Sequence, residues 1–259
     1  MADLLSIVTT SEKRKNLLLL LQDGPKSMDE IRSTLEVTTT GMLPQIKILA
    51  SHGLVRKEGG SYALTEMGAV IAAHLRRLLG TLAVFEQEDK FWKEHDLGGI
   101  PLYLRMRISE LGRYRIISSG EEDLYESHRE FQEQILRSKT VHGYAPILHP
   151  IYPQFFLALA KKGVEISLIL SANVFAKIEK KYGDLLNEGL RYPNASLFVT
   201  DENIHLAFIV TDLYFSTGMF FHDGRFDTKM DLTSFDPSAL AWGEELFMHI
   251  RERSRQVPT

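Results

Sequence analysis

A chain of 259 residues that is 44% hydrophobic can bury a full core and is long enough for two domains. The absence of cysteine excludes disulfides, thiolate metal sites and a cysteine nucleophile, and it suits a reducing compartment, the cytoplasm being the expected location. No uninterrupted apolar run reaches the roughly 18 residues of a membrane span, and the first residues lack the layout of a secretory signal.

In chain order, Ser11 caps a helix running EKRKNLLLLLQ, which Gly24-Pro25 ends. Lys13, Arg14 and Lys15 in its first turn either touch phosphate or form a solvated face. Ser27 then begins a second helix with Glu30 three residues on, the spacing of a reciprocal cap, and Met28, Ile31 and Leu35 recur at helical spacing on its inner side. After Glu36-Val37 come Thr38, Thr39 and Thr40 and a third helix, with Leu43, Ile46 and Leu49 inward and Gln45 and Lys47 outward. Pro44 lacks an N–H, so the regular part of this helix is expected to begin near Thr40 or Gly41, unless it is kinked there. Past Gly53, the runs Leu54–Lys57 and Ser61–Leu64 around Glu58-Gly59-Gly60 read as a β-ribbon that turns Arg56 and Lys57 outward.

That order of elements is a winged helix-turn-helix. In such a module the second helix of the pair enters a major groove while basic ribbon residues hold the backbone. The candidate DNA-binding residues are Thr38, Thr39, Thr40, Gln45, Lys47, Arg56, Lys57 and Tyr62. The alternative for the same elements is a protein-interaction module. The formal net charge of −4 is split along the chain: residues 1–80 hold ten Lys or Arg against eight Asp or Glu, net +2, and residues 81–259 hold twenty against twenty-six, net −6. An excess this small neutralises few phosphates per copy, so a homodimer on double-stranded DNA is expected.

Thr65 caps a further helix in which Met67, Val70, Ile71, Leu75, Leu78, Leu79 and Leu82 step by three and four, a stripe wide enough for its own domain and a partner helix. Residues 66–95 are expected to connect and dimerise, and LYLRMRISEL adds one short helix. From Arg113 the chain alternates RYRIIS, YESHREFQEQILRS, TVHGYAP, IYPQFFLALAKKG, VEISLIL and NVFAKIEKKY, strand and helix in rotation, which predicts a mostly parallel sheet with helices on its faces. ASLFVTD, IHLAFIVTD and LYFSTGMFF follow as antiparallel hairpins, HDGR is a turn, and a last helix runs from about Pro237 to Arg253. The expected organisation is a winged helix over 1–65, a helical connector over 66–112 and an α/β domain with a mixed sheet over 113–259, two domains in all.

The second domain lacks a glycine-rich loop after a strand, a nucleophile elbow and HExxH, so neither a cofactor nor a metal is called for. His205 and Asp212 match the spacing of phospholipase-D-like enzymes, but Ala207 stands where their lysine stabilises the phosphoryl charge, so hydrolysis is not expected. A degenerate phosphodiesterase is the enzymatic alternative, and a scaffold kept for ligand sensing is the binding one. His142, Tyr144, His149, Tyr152, His205 and His222 fall near strand ends and form the candidate ligand site for a small-molecule effector. His142, His149 and His222 with Asp223 are the alternative reading as metal ligands, but their spacing is irregular.

Four segments, SEKRKNLLLLLQDGPKSMDEIRSTL, GMLPQIKILASHGLVRKEGGSYALTEMG, HGYAPILHPIYPQFFLALAKKGVEISLIL and FFHDGRFDTKMDLTSFDPSALAWGEELF, resemble the archaeal ArsR-like winged-helix regulators of the methanogenesis-regulator type. The resemblance spans nearly the whole chain, and the last segment is its most specific part. It implies a dimeric transcription factor of an archaeal cytoplasm, linked to methanogenic or related energy metabolism. Metal-sensing relatives of the ArsR kind use cysteines, so that mode of sensing does not carry over.

Overall fold

The computed structural model describes residues 3–118 and 134–258. It divides into two compact units, Met1–Gly80 and Thr81–Thr259. The division falls inside a helix, whereas the sequence reading set boundaries at 65 and 112.

In the first unit, α1 (Leu4–Thr9), α2 (Glu12–Leu20), α3 (Met28–Leu35) and α4 (Thr39–Ser51) enclose a core in which Leu17, Leu18, Ile31, Met42, Leu49 and Leu54 are fully buried. The expected cap of α3 is present in both directions: the Ser27 amide donates to Glu30 Oε2 at 2.7 Å and the Glu30 amide to Ser27 Oγ at 3.3 Å. The turn to α4 is made by Glu36, whose φ of 52° places it in the left-handed region at the helix end. Thr38 caps α4, accepting from the Gly41 amide at 3.2 Å, so the helix starts one residue before the expected range and Pro44 lies within it. Proline leaves the carbonyl four residues back without its helical donor. That carbonyl belongs to Thr40, which is exposed, so water can take the donor's place. Met42, Ile46 and Leu49 form the buried side, with Leu43, expected inward, only half-buried.

The ribbon is β1 (Val55–Glu58) against β2 (Ser61–Leu64), antiparallel, with Gly59 and Gly60 both at positive φ, 55° and 88°. A two-residue turn with that pair of angles twists as the strands do, and glycine adopts it without a Cβ penalty. From Thr65 the chain enters α5 (Glu66–Gln87), which contributes Ala72 and Leu75 to this core. By length and composition alone α5 is apolar enough to cross a membrane, although polar residues interrupt it and it carries no unbroken apolar run of that length.

The second unit is built on one mixed sheet. Its described strands are β3 (Tyr114–Ser118), β4 (Thr140–Ala145), β5 (Glu165–Ser171), β6 (Ala195–Thr200), β7 (Leu206–Thr211), β8 (Phe215–Phe220), β9 (Phe226–Ser234) and β10 (Arg255–Gln256), in the order β10-β6-β5-β4-β7-β8-β9-β3. Only β4, β5 and β6 run parallel to one another, so the mostly parallel sheet expected from strand and helix alternation is confined to three strands. The chain from β7 to β9 is a meander. Sequence reading missed β9 because Asp227, Thr228, Lys229 and Asp231 give it a low strand propensity, although Phe226, Met230 and Leu232 alternate along it. The helix expected from YESHREFQEQILRS lies mostly outside the described residues.

Side chains alternate across the sheet. One face packs on α10 (Pro237–Arg251) through Trp242, Leu246 and Phe247, with Tyr144, Ile169, Phe208 and Phe215 beneath. The opposite face carries α8 (Tyr152–Lys161) over Val141, Ile166 and Ile209, and α9 (Ala172–Gly189) over Leu170, Leu197 and Val199. Part of the expected connector belongs to this unit: α6 (Asp89–Glu94) buries Phe91 and Trp92, α7 (Leu102–Arg105) buries Leu104, and Ile108 and Leu111 follow.

Candidate nucleic-acid interface and ligand cavity

The outward face of α4 is set by its buried one. With Met42, Ile46 and Leu49 inward, helical periodicity turns Thr40, Pro44, Lys47 and Ser51 to solvent in one row, and all four are exposed. Thr38 Oγ1 lies 3.3 Å from Thr40 Oγ1, while Thr39 is half-buried. Gln45 is not part of this row. It is half-buried, and its Oε1 accepts from Arg14 Nη1 at 2.9 Å and Ser11 Oγ at 3.5 Å, so the outward placement expected for Gln45 and Lys47 together holds for Lys47 alone. Pro44 and Ser51 occupy places in the row that sequence reading did not assign; the signal was their offset of four and eleven residues from Thr40.

The three basic residues of α2 have separate employments. Arg14 binds the Ile7 carbonyl at 2.6 Å, Thr10 at 3.0 Å and Gln45, and so fastens α2 to α4. Lys15 pairs with Glu12. Lys13 is exposed, and its Nζ lies 3.0 Å from where a Cβ on Gly41 would stand, which sets an ammonium group beside the amino end of α4.

On the ribbon, Lys57 stands opposite Tyr62, and Tyr62 is bridged on its other side by Lys26, with backbone hydrogen bonds of 2.9 and 2.8 Å. Directly opposed residues share a face, so Lys57, Tyr62 and Lys26 form one lateral row. The Lys57 ammonium is 6.0 Å from the Tyr62 ring centre. Lys26 was missed in the sequence because it precedes a helix cap and nothing local marks it as a strand partner. Arg56 is exposed and paired with Glu58 at 3.1 Å, an exposed bridge of small energetic weight.

The six ring residues proposed for ligand binding do not form one cluster. His142 Nδ1 is 2.9 Å from Glu244 Oε2, and its ring stacks on Phe247 on the α10 side. His205 stacks on Phe220 and lies 3.6 Å from Asp96, while His222 Nε2 meets the Lys93 carbonyl at 3.1 Å. Asp212 accepts from the amides of Lys139 and Thr140 at the far end of β7 from His205, roughly 20 Å along the strand, so the phospholipase-like pair is not assembled. No group of three acidic or histidine side chains is placed for a metal among the described residues.

His149 and Tyr152 do share a site, a cavity of about 510 Å³ between the sheet and α8 and α9; Tyr144 borders it, but its side chain belongs to the core on the α10 side. Its floor is hollow because the central strands carry small residues on this face: Gly143, Ala145, Ala207, Ser216 and Gly218. Leu168, Leu170, Phe156 and Ile178 make the walls apolar. Tyr144 turns its ring to Phe208, and burial raises its phenol to about 12 against the opposing effect of a hydrogen bond with the Ile204 backbone.

The polar end of the cavity holds Tyr152, Tyr214, Asp227 and Asp231. Burial lifts the Tyr152 phenol to about 12 and raises Tyr214 further, with the Asp231 charge adding to both. Asp227 is bonded to His95 Nε2 at 3.2 Å and to the Lys229 amide at 2.8 Å. Asp231 lies over Gly218, its Oδ1 2.8 Å from where a Cβ there would be. Its side chain is exposed and lines the cavity, and loss of solvation followed by the Asp227 charge raises its carboxyl to about 6.

Two family models match the chain: methanogenesis regulatory protein FilR1, N-terminal domain, over residues 2–83, and methanogenesis regulatory protein FilR1, middle domain, over residues 124–253. The methanogenesis regulatory protein FilR1 of Methanothrix harundinacea (strain 6Ac) is 27% identical over 264 residues, and the match covers 97% of this chain. It covers 57% of that relative, so this chain spans little more than half of its length. Among solved structures, TrmBL2, an archaeal chromatin protein described with a novel mode of DNA binding, is 13% identical with a TM-score of 0.45, covering 93% of this chain and 91% of that one. Phosphatidylserine synthase of Haemophilus influenzae Rd KW20 is 12% identical with a TM-score of 0.42, covering 56% and 39%.

Proposed function

The chain belongs to the FilR1 methanogenesis regulatory family, and from that premise we propose that it is a transcriptional regulator that binds promoter DNA as a homodimer through a winged helix in its first unit. The observation that carries this reading is the exposed row Thr40, Pro44, Lys47 and Ser51 on α4, with Lys13 at the helix start and a second row of Lys57, Tyr62 and Lys26 on the ribbon. Hydroxyls, an ammonium group and an apolar proline on one helix face suit base edges and thymine methyls, and the ribbon lysines suit phosphate. Gln45, one of the residues first assigned to DNA, acts here by holding α4 against Arg14.

Association of two copies is supported by α5. Met67, Val70, Leu78 and Leu82 are exposed at 46, 60, 52 and 44% on a helix whose other side is already committed to a core. An identical helix is the partner that best accounts for an apolar stripe of this length in a protein whose single copy carries so few spare cations. The second unit then acts as a non-catalytic effector domain: Ala207 supplies no cation, and His205 and Asp212 occupy opposite ends of β7. An effector that prefers one arrangement of the dimer would bias DNA binding.

The test is a fluorescence anisotropy titration on a duplex recovered from genomic fragments that copurify with the protein. Lys57→Ala should weaken binding to every sequence and lower the salt slope by about 1. Lys47→Ala should also weaken binding, by roughly tenfold as expected for one good polar contact. Unchanged isotherms for both variants would sink the assignment. The dimer is checked by sedimentation: Val70→Glu with Leu78→Glu should yield monomers, and an unaltered sedimentation coefficient would count against α5 as the interface.

A further inference from the structure

The cavity in the second unit contains a polar atom with nothing to bind. Tyr214 Oη is buried, lies in a residue that lines the cavity, and has no hydrogen-bond partner among the described residues. Burial of an unsatisfied hydroxyl is costly and uncommon, and a group placed in that way at a cavity wall is completed by what enters the cavity. A second observation concerns charge. Among the described residues of the lining there is no lysine or arginine, whereas two aspartates are present. Asp227 is partnered by His95, but among the described residues no hydrogen-bond donor meets Asp231, which lines the cavity and stands over Gly218 beside the Phe226 ring.

We propose that this cavity binds a small organic cation, an amine on a mainly apolar body, with the ammonium group at Asp231 and Tyr214 and the body against Leu168, Leu170 and Phe156. This deepens the effector-domain reading and rests on it. Charge selects the class. A carboxylate, phosphate or sulfonate would bring a negative charge to a site that already holds two carboxylates and offers no lysine or arginine among its described residues, a juxtaposition that both Coulomb repulsion and loss of solvation oppose. An ammonium group satisfies Asp231 directly, and the Tyr214 hydroxyl accepts a second N–H from it. The volume, about 510 Å³, lies in the range of small-molecule sites, and the chamber is mainly apolar, so recognition rests on few polar contacts and on shape.

Three probes with one aromatic body and different heads test the idea: 2-phenylethylamine, 2-phenylethanol and 3-phenylpropanoate, titrated calorimetrically into the full chain at pH 7.5 without DNA. The amine should bind at one site per chain, and at least about tenfold more tightly than the carboxylate. Asp231→Asn should remove about tenfold of the amine's affinity and leave the alcohol within about twofold. Ala207→Leu, which fills the floor, should abolish binding of both. The proposal is overturned if the carboxylate binds as tightly as the amine, if Asp231→Asn weakens amine and alcohol alike, or if the amine does not bind at millimolar concentration; the wild-type comparison decides it even where a variant fails to fold. Repeating the amine titration with promoter DNA present separates the two readings: amine binding that leaves DNA affinity unchanged supports the cavity assignment and overturns the effector role.

Discussion

The two faces of the sheet in the second unit are encoded in the same strands, one residue out of phase, and they have opposite characters. Toward α10, β4 offers Tyr144 and β8 offers Phe215 and Met219, which join Trp242, Leu246 and Phe247 in one buried core. Toward α8 and α9 the alternate residues of those strands are Gly143, Ala145, Ser216 and Gly218, and the space they leave is the cavity. One face therefore holds the unit together and the other keeps volume free. A ligand can use the second because the first does not depend on it.

The sharpest way to break that contrast is to remove volume from the filled face. Trp242 is fully buried, meets Phe215 edge to face with ring centres 5.5 Å apart, and donates from Nε1 to the Leu104 carbonyl at 3.1 Å. Trp242→Ala should cost about 3–5 kcal/mol, since it opens a cavity and removes a buried hydrogen bond. Urea unfolding followed by circular dichroism should show the second unit's midpoint fall sharply. A midpoint within error of the parent would mean that this face is not the structural one.

A smaller effect of opposite sign is expected on the hollow face. Tyr214→Phe deletes the unpartnered hydroxyl and keeps the ring, which packs with Val141, Leu159 and Ile209. Without a ligand it should stabilise the protein by about 1 kcal/mol, because an unmet hydrogen bond is removed at no cost in shape. In a domain of this size that is a rise in Tm of roughly 2–4 °C. The same variant should bind the amine probe less well. A loss of stability instead would show that the hydroxyl already has a partner, and the cavity would lose its clearest sign of incompleteness.

Legibility in the sequence followed the same division. What depends on large or periodic residues could be read directly: the Ser27–Glu30 cap, the buried Ile31 and Leu49, and the strands around VEISLIL and IHLAFIVTD all lie where patterning put them. What depends on small residues and on pairing distant in sequence could not. Gly143, Ala207 and Gly218 carry no local signal that they share one floor, and Asp227 and Asp231 made β9 look like loop although they face a site. Lys26 reached the ribbon through a bridge to Tyr62 that no short window contains. Gln45 misled because helical phase alone does not reveal that a neighbouring helix supplies Arg14. Of the ring residues singled out, His149 and Tyr152 reached the cavity because α8 starts beside it, whereas His142 lies one strand position out of phase with Gly143 and faces α10.

An effect of similar size but confined to one pH range is the most specific, because it has a direction that ordinary carboxylates do not share. Asp231 has its carboxyl raised to about 6 by loss of solvation and by Asp227, so the folded chain holds that proton more tightly than the unfolded chain does. Its ionisation therefore destabilises the fold: the penalty is fully present above about pH 6, shrinks as pH falls through that value, and is gone below the ordinary aspartate range near 4. Glu245, held low by Arg107, and Asp223, held low by the Arg225 amide and guanidinium, behave in the reverse way, losing stabilisation on acidification. Asp231→Asn should thus raise Tm at pH 8 and leave it unchanged at pH 4. Because the side chain meets water in the hollow, the full shift does not convert to stability, and a discounted value of about 1 kcal/mol, roughly 2–4 °C, is the expected gain at pH 8. The amine probe should supply the same relief by neutralising the charge, so it should raise the Tm of the parent more at pH 8 than at pH 5 and that of Asp231→Asn by little at either. An equal rise in both proteins would place the amine elsewhere on the molecule and leave the two faces of the sheet different in packing but not in function.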